Sequence, residues 1–374
     1  MRSAKRAAMT LPSAPELRVD LDALAANFAA LQRRAGAAEV APVLKADAYG
    51  LGQGPVARRL WHEGARRFFV ARRSEGEALR SDLGPRTAEI FILDGYLGDG
   101  PALRAAALTP VINTQEQIAA WRASAPAQDH PSPFALQVDT GLNRLGLTVA
   151  EALSLAETPE ARDCQLVLSH LACADTPDHP LNARQARALA ALRPAFPKAR
   201  FSLAASSGIF LGDDFRFDMV RPGVALFGVG PFETPHPEIR PVARLTAPVL
   251  QIRHVAEGDT IGYGAGFIAP HALKIALVGA GYADGVLRSS GANGYGFVGG
   301  ERRPFVGRVS MDILALDVTG LSDVHPGDCV ELFGDHLRLE DVARAANTIS
   351  YEILSRIAPR VTRTYLGDDG DGRP

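Results

Sequence analysis

The chain has 374 residues, which at about 150 per domain allows two domains, or one large barrel with a smaller unit. Lys+Arg 40 against Asp+Glu 42 leaves a net charge of −2, which excludes both the basic footprint of a nucleic-acid binder and the acidic excess of a disordered chain. No apolar run approaches the ~18 residues of a membrane span, so neither nucleic acid nor membrane is an expected partner.

At the start, Arg2, Lys5 and Arg6 are followed by Thr10, Pro12 and Ser13, which break the apolar stretch that a signal peptide needs. Residues 1–14 therefore read as a ragged N-terminus and the protein as cytoplasmic. Residues 15–21 read as a strand free to pair with a later domain. A helix is expected over 22–32, where Leu24, Phe28 and Leu31 share one face. Eight short apolar runs follow, at 41–44, 67–70, 89–93, 109–112, 134–138, 165–169, 200–204 and 217–220. Between them lie helix-opening pairs, Ser74 with Glu77, Thr114 with Gln117 and Thr148 with Glu151. Eight βα repeats favour a (β/α)8 TIM barrel over an open sheet, with the 22–32 helix filling the place left empty after the last strand.

After about residue 238 the texture changes to apolar segments separated by Gly and Pro turns, at 249–255, 274–278, 306–309, 314–318 and 329–333. This predicts an α/β chain of two domains, a barrel over 15–237 and a mainly antiparallel β domain over 238–374. A helix over 339–346 and a frayed tail from Gly367 complete it. Cys164, Cys173 and Cys329 are odd in number and lack C-x-x-C spacing, so neither a disulfide framework nor a metal site is implied.

Barrel enzymes work at the C-terminal ends of their strands. Lys45 directly follows the first run, in Val43-Leu44-Lys45-Ala46-Asp47-Ala48-Tyr49-Gly50. A lysine there either snorkels to solvent or serves as an amine nucleophile toward a carbonyl compound.

The string resembles the signature of the alanine racemases, whose lysine holds pyridoxal 5'-phosphate. Six further motifs resemble the family in order: Asp139-Thr140-Gly141-Leu142-Asn143-Arg144-Leu145-Gly146, Ser169-His170-Leu171-Ala172, Arg221-Pro222-Gly223, Gly281-Tyr282-Ala283-Asp284-Gly285, Gly307-Arg308-Val309-Ser310-Met311-Asp312 and Thr348-Ile349-Ser350-Tyr351-Glu352. With Arg18-Val19-Asp20-Leu21 and Asn27 at the entry, they span residues 17 to 361.

The resemblance implies an isomerase that interconverts L- and D-alanine for peptidoglycan. Lys45 would carry the cofactor and move a proton on one face of the substrate, with Tyr282 on the other. Inversion needs two groups, because one group returning the proton to the same face restores the starting enantiomer. A phenol with an ordinary value of ~10 needs about 4 kcal/mol to ionise at neutral pH, so cationic help is required. In the family a histidine and an arginine give it, matched here by His170 and Arg221. Arg221 would also face the ring nitrogen, and an arginine, having only donors, leaves that nitrogen unprotonated. Ser206 or its neighbour Ser207, with Gly223, Tyr49 and Tyr351, would hold the phosphate. Arg144 and the Met311 N–H would hold the substrate carboxylate, supported by Asp312. Because Tyr282 and Met311 fall outside the barrel, the resemblance further implies a homodimer with composite sites.

Two positions depart from the pattern. Gln137 stands seven residues before Arg144, where many members carry a carbamylated lysine that orients the arginine, so Arg144 needs another support. Ala205 replaces an asparagine usual before the phosphate serine. A racemase of broader small amino-acid range that includes serine, and a non-enzymatic pyridoxal phosphate-binding protein, stay open as alternatives.

Overall fold

The computed structural model describes residues 14–126 and 132–367, so the segment expected to be ragged, up to residue 13, and the tail beyond Gly367 lie outside the described residues. The chain divides into two compact units, Leu21–Arg240, and the chain up to Asp20 together with the chain from Pro241. Strand β1 (Glu16–Asp20) belongs to the second of these.

The first unit is a (β/α)8 barrel. It opens on α1 (Leu21–Ala35), longer than expected, with Leu24, Phe28 and Leu31 buried on one stripe. Eight parallel strands follow: β2 (Glu39–Val40), β3 (Arg67–Val70), β4 (Glu89–Ile92), β5 (Leu108–Ile112), β6 (Phe134–Asp139), β7 (Cys164–Leu168), β8 (Arg200–Ala205) and β9 (Met219–Arg221). They lie in the order β2-β9-β8-β7-β6-β5-β4-β3, and a parallel bridge from Val43 to Phe69 closes the ring. Helices α2 (Gln53–His62), α3 (Arg73–Leu83), α4 (Gly100–Ala105), α5 (Gln115–Ala123), α6 (Val149–Ala156) and α7 (Pro180–Ala190) connect them. Inward-facing Val43, Phe69, Phe91, Val111, Leu166 and Met219 pack into one buried cluster, with Phe69 and Phe91 stacked at 4.7 Å. Each large side chain so removed from water contributes roughly 1.5–3 kcal/mol.

Two expected helix openings form as read. Thr114 Oγ1 accepts from Gln117 N at 3.2 Å, and Thr148 with Glu151 makes a reciprocal box. The third differs. Helix α3 starts at Arg73, one residue before Ser74, and Glu75 rather than Glu77 reaches back, accepting from Ala71 N at 2.8 Å and Arg72 N at 3.0 Å. Glu77 instead pairs with Arg73 at 3.2 Å.

The second unit has β10 (Ala243–Val255), β11 (Leu273–Val278), β12 (Tyr295–Val298), β13 (Glu301–Pro304), β14 (Leu314–Asp317), β15 (Cys329–Phe333), helices α8 (Leu339–Ala345) and α9 (Ser350–Ser355), and β16 (Thr362–Leu366). The sheet is mainly antiparallel. Strand β1 joins it, antiparallel to β10 and parallel to β16. The strand expected over 306–309 is absent; there the chain makes only a bridge at Phe305 and one bond from Val306 N to Ala315 O. In its place stands the β12–β13 hairpin, turned by Gly299 and Gly300 at φ 62° and 83°. Glycines tolerate that left-handed turn at no steric cost.

Inside the barrel unit, Asn27 is fully buried on α1 and ties that helix to the chain after the last strand. Its Nδ2 donates to Leu226 O at 3.1 Å and Arg240 O at 2.9 Å, and its Oδ1 accepts from Arg240 N at 2.7 Å. Truncation strands three backbone groups, at about 1–3 kcal/mol for each one left unsatisfied. Asn27→Ala is therefore expected to lower stability by about 3 kcal/mol or more in urea unfolding; a loss under ~0.5 kcal/mol would deny Asn27 this tie.

Candidate active site

The barrel gathers Lys45, Tyr49, Arg144, His170, Ser206, Arg221 and Gly223, each at or just beyond the C-terminal end of a strand. Lys45 opens an unusual turn. The next four residues, Ala46, Asp47, Ala48 and Tyr49, all have φ between 52° and 58°. Left-handed backbone costs non-glycine residues roughly 1–2 kcal/mol each. The surroundings hold it: Glu75 Oε1 accepts from Ala46 N at 2.7 Å, Asp47 Oδ1 from Gln53 N at 2.7 Å, and Leu44 O from Gln53 Nε2 at 3.1 Å. Burial first, and the charge of Arg144 second, hold the Lys45 ammonium below its ordinary value, against the opposing pull of Glu75 and Asp94.

Arg144 rides on a turn made by Asp139, whose Oδ1 accepts from Gly141, Leu142 and Asn143 N at 2.8, 2.9 and 3.2 Å. Gly146 ends that turn, where a Cβ would lie 2.8 Å from Gln137 O and 2.9 Å from Gln137 Cγ. Gln137 thus backs the loop that carries Arg144 by packing on its glycine.

The Arg221 guanidinium is buried, bonded to the Ser202 hydroxyl and donating to Ser169 O at 2.6 Å. Burial pushes it down to about 10, still a cation at neutral pH. His170 lies two residues past β7, with its carbonyl accepting from Gln185 Nε2 at 2.9 Å. Desolvation, then Arg221, Arg144 and Lys45, push its imidazole down to about 3.

Ser206 and Gly223 lie together on the barrel rim. Ser206 Oγ sits where two backbone N–H groups converge, Gly223 N at 3.0 Å and Ala225 N at 3.2 Å. A Cβ on Gly223 would lie 2.2 Å from Tyr49 Oη, so only glycine lets the phenol approach. The neighbour Ser207 points elsewhere, toward Phe232 N at 3.4 Å.

In the second unit, Tyr282 follows β11 and is 43% exposed, while Met311 precedes β14 and is 52% exposed. They are joined through the backbone: Tyr282 N donates to Ser310 O at 3.0 Å and Ala283 N to Met311 O at 3.0 Å. Among the described residues the Met311 N–H has no protein acceptor. Asp312 accepts from Arg360 at 2.7 Å, and Tyr351 is half-buried on α9.

Known proteins share this arrangement. Residues 19–231 match the N-terminal domain of alanine racemase, and residues 242–365 its C-terminal domain. The chain belongs to the alanine racemase family. The biosynthetic alanine racemase of Agrobacterium fabrum is 44% identical over 371 residues, 94% of each chain, and the alanine racemase of Methylobacterium nodulans is 44% identical over 355 residues, 94% of this chain and 95% of the other. Among solved structures, alanine racemase from Bartonella henselae with covalently bound pyridoxal phosphate superposes with a TM-score of 0.90 at 34% identity, covering 95% of this chain and all of the other. The biosynthetic enzyme of Pseudomonas aeruginosa gives 0.85 at 34% identity, over 94% and 99%.

Neither Glu75 nor Arg360 falls within the motifs named above, yet both touch the loops that carry the candidate residues. Glu75 was readable in principle, as an acid three residues past the cap residue Arg72. Nothing local distinguishes Arg360.

Two outcomes follow from this geometry. Ala46 is exposed, so Ala46→Gly removes strain and no packing; it should raise unfolding stability by about 0.5–1 kcal/mol, after the added freedom of glycine in the unfolded chain is offset, while Ala46→Val should lower it. For His170, the unfolded chain takes up a proton below the ordinary pH of about 6.5, whereas the folded ring resists until about 3. Stability of the cofactor-free chain should therefore fall as pH drops through that window, by about 2 kcal/mol at pH 5. His170→Gln should flatten the profile in urea titrations, and an unchanged profile would remove His170 as its source.

Proposed function

We propose that this protein interconverts L- and D-alanine with pyridoxal 5'-phosphate carried on Lys45. The observation that carries this reading is the anion cradle of Ser206, Gly223 and Ala225 N–H placed on the same barrel rim as a lysine of lowered pKa. The residues fit the cofactor. Ser206, the two N–H groups, Tyr49 and Tyr351 would hold its phosphate, and Arg221 would stand at the ring nitrogen with donors only. When bound, the cofactor withdraws electrons from the substrate α-carbon and so acidifies its C–H bond.

The chain's own groups do the rest. The Lys45 amine, less costly to deprotonate than an exposed lysine, moves the proton on one face. The Tyr282 hydroxyl moves it on the other. Arg144 and the free Met311 N–H grip the carboxylate through charge-assisted bonds, which fixes the α-carbon between the two proton carriers. His170, held neutral by burial and by the cations around it, would accept or pass a hydrogen bond without adding charge beside the tyrosine. Because Lys45 and Tyr282 belong to different units, the reading includes a homodimer in which each barrel receives the partner's Tyr282 and Met311. No helix among the described residues is long and apolar enough to cross a membrane, and the reading places the enzyme in the cytoplasm, supplying D-alanine for peptidoglycan.

An absorbance spectrum of the bound cofactor combined with a chiral assay on L-alanine, L-serine and L-lysine tests the proposal. Racemisation of alanine above the others supports it; a bound cofactor lost in Lys45→Ala, with no racemisation of any of the three by wild type, would overturn it. The two-sided mechanism has a sharper check. L- and D-alanine have equal free energies, so Tyr282→Phe must lower kcat/KM equally in both directions, here by about 10²–10⁴-fold. In D₂O, however, the enantiomer whose α-hydrogen faces Lys45 should keep exchanging it with solvent, while the other stops. Exchange retained or lost in both would take Tyr282 out of the mechanism.

A further inference from the structure

Asp284 is buried two residues after Tyr282, and its carboxylate is shared between two demands. Its Oδ2 accepts from Gly281 N at 2.9 Å, which closes the loop around Tyr282, and its main-chain oxygen accepts from Ala358 N at 3.2 Å. The charge is met by Arg360, whose Nε donates to Oδ1 at 2.7 Å and Nη2 to Oδ2 at 2.9 Å. The same Nη2 also donates to Asp312 Oδ1 at 2.7 Å. One planar guanidinium therefore joins the loop bearing Tyr282 to the loop bearing Met311, on top of the backbone bonds between them.

Gly281 shows how closely the two loops lie. A Cβ there would fall 2.2 Å from Met311 O and 2.3 Å from Ser310 O, so neither loop can shift without the other. Asp284 is nearly fully buried, whereas the Arg360 and Asp312 side chains are 47% and 58% exposed. The inner bond thus fixes the arginine, and the arginine holds the outer loop.

We infer that Arg360 is a positioning residue for racemisation: by bridging Asp284 and Asp312 it holds the Tyr282 hydroxyl and the Met311 N–H in one fixed frame. The inference rests on the roles proposed above for Tyr282 and Met311. Arg360 touches neither substrate nor cofactor and moves no proton. Lysine cannot replace it fully, because an ammonium lacks the planar fork that meets both Asp284 oxygens and Asp312 together.

Three variants of the full chain, loaded with cofactor, test this: Asp312→Asn, which takes the charge from only the outer bond, Arg360→Lys and Arg360→Gln. Amide hydrogen exchange of residues 281–285 and 310–312 should quicken at least tenfold in Arg360→Gln and less in the other two, with the barrel peptides and the cofactor absorbance unchanged. Net racemisation should fall tenfold to a hundredfold in Arg360→Gln, with Arg360→Lys and Asp312→Asn between it and wild type. Deuterium wash-in from the Lys45 face should stay within threefold of wild type. Exchange that is unchanged in both loops, or raised throughout the second unit, would overturn the inference, as would equal loss of wash-in on both faces. If wild type does not racemise alanine, the reading of function fails, and loop exchange alone still decides whether Arg360 holds the frame.

Discussion

The site depends on how the barrel closes. Residues 39–44 lie between the last strand and β3 and bond to both: Glu39, Ala41 and Val43 N donate to Asp218, Val220 and Pro222 O at 2.9–3.0 Å, while Leu44 N donates to Phe69 O at 2.8 Å and Phe69 N to Pro42 O at 2.9 Å. Side chains alternate along such a segment, so a slip of one residue would turn Val43 out of the core and aim Lys45 to the wrong side. The opposite rim secures the register. Arg67 at the start of β3 pairs with Glu39 and with Glu89 at 2.6 and 2.7 Å, and Glu39 also takes Arg200 from the start of β8. Exposed pairs of this kind add little stability singly, but four strand starts held together leave the seam one alignment.

Closure also explains the electrostatics. Strand ends converge, so burial, and after it the neighbouring cations, disfavour the charged forms of Lys45 and His170. The cheapest response is for the weakest base to stay neutral, which is His170. Arg221 keeps its charge because oxygens at the ends of two neighbouring strands accept from it, Ser202 and Leu203 on β8 and Ser169 just past β7. What is left is a rim on which Lys45, Arg144 and Arg221 stand against the acids Glu75 and Asp94. A phosphate and a carboxylate are the groups that relieve it, and a chain of net charge −2 can present such a rim only by local placement.

Much of this was legible in the residues. Eight apolar runs at βα spacing marked the barrel strands to within a few residues, and the Asp139 turn and the Thr148 box follow from side chains that bond their own backbone. What stayed hidden depends on distant partners. The hairpin at Gly299-Gly300 was masked because Glu301, Arg302 and Arg303 make β13 polar on both faces, so no alternation marked it. The 306–309 run is apolar for packing rather than pairing. The left-handed turn after Lys45 contains no glycine among its four residues, and Ala46, Asp47, Ala48 and Tyr49 would locally favour helix or extended chain. Glu75 overrides that preference from another element, as Arg360 does in the second unit.

Under the proposed function the two units meet the same need by different means. Moving a proton to and from carbon requires each acid or base to be held within a fraction of an ångström of its line of attack. On the barrel, Lys45 opens a strained backbone turn whose relaxation is blocked by Glu75 and Gln53, so its position is over-determined by side-chain hydrogen bonds to the backbone N–H of Ala46 and the carbonyl of Leu44. In the β unit, the Tyr282 loop has no strained run of that kind, and Gly285 is the residue there with positive φ. Its frame is ionic instead, a buried carboxylate matched to an exposed guanidinium. Strain requires a closed barrel to contain it, whereas an ion pair can work at the edge of a sheet; each unit uses the restraint its architecture permits.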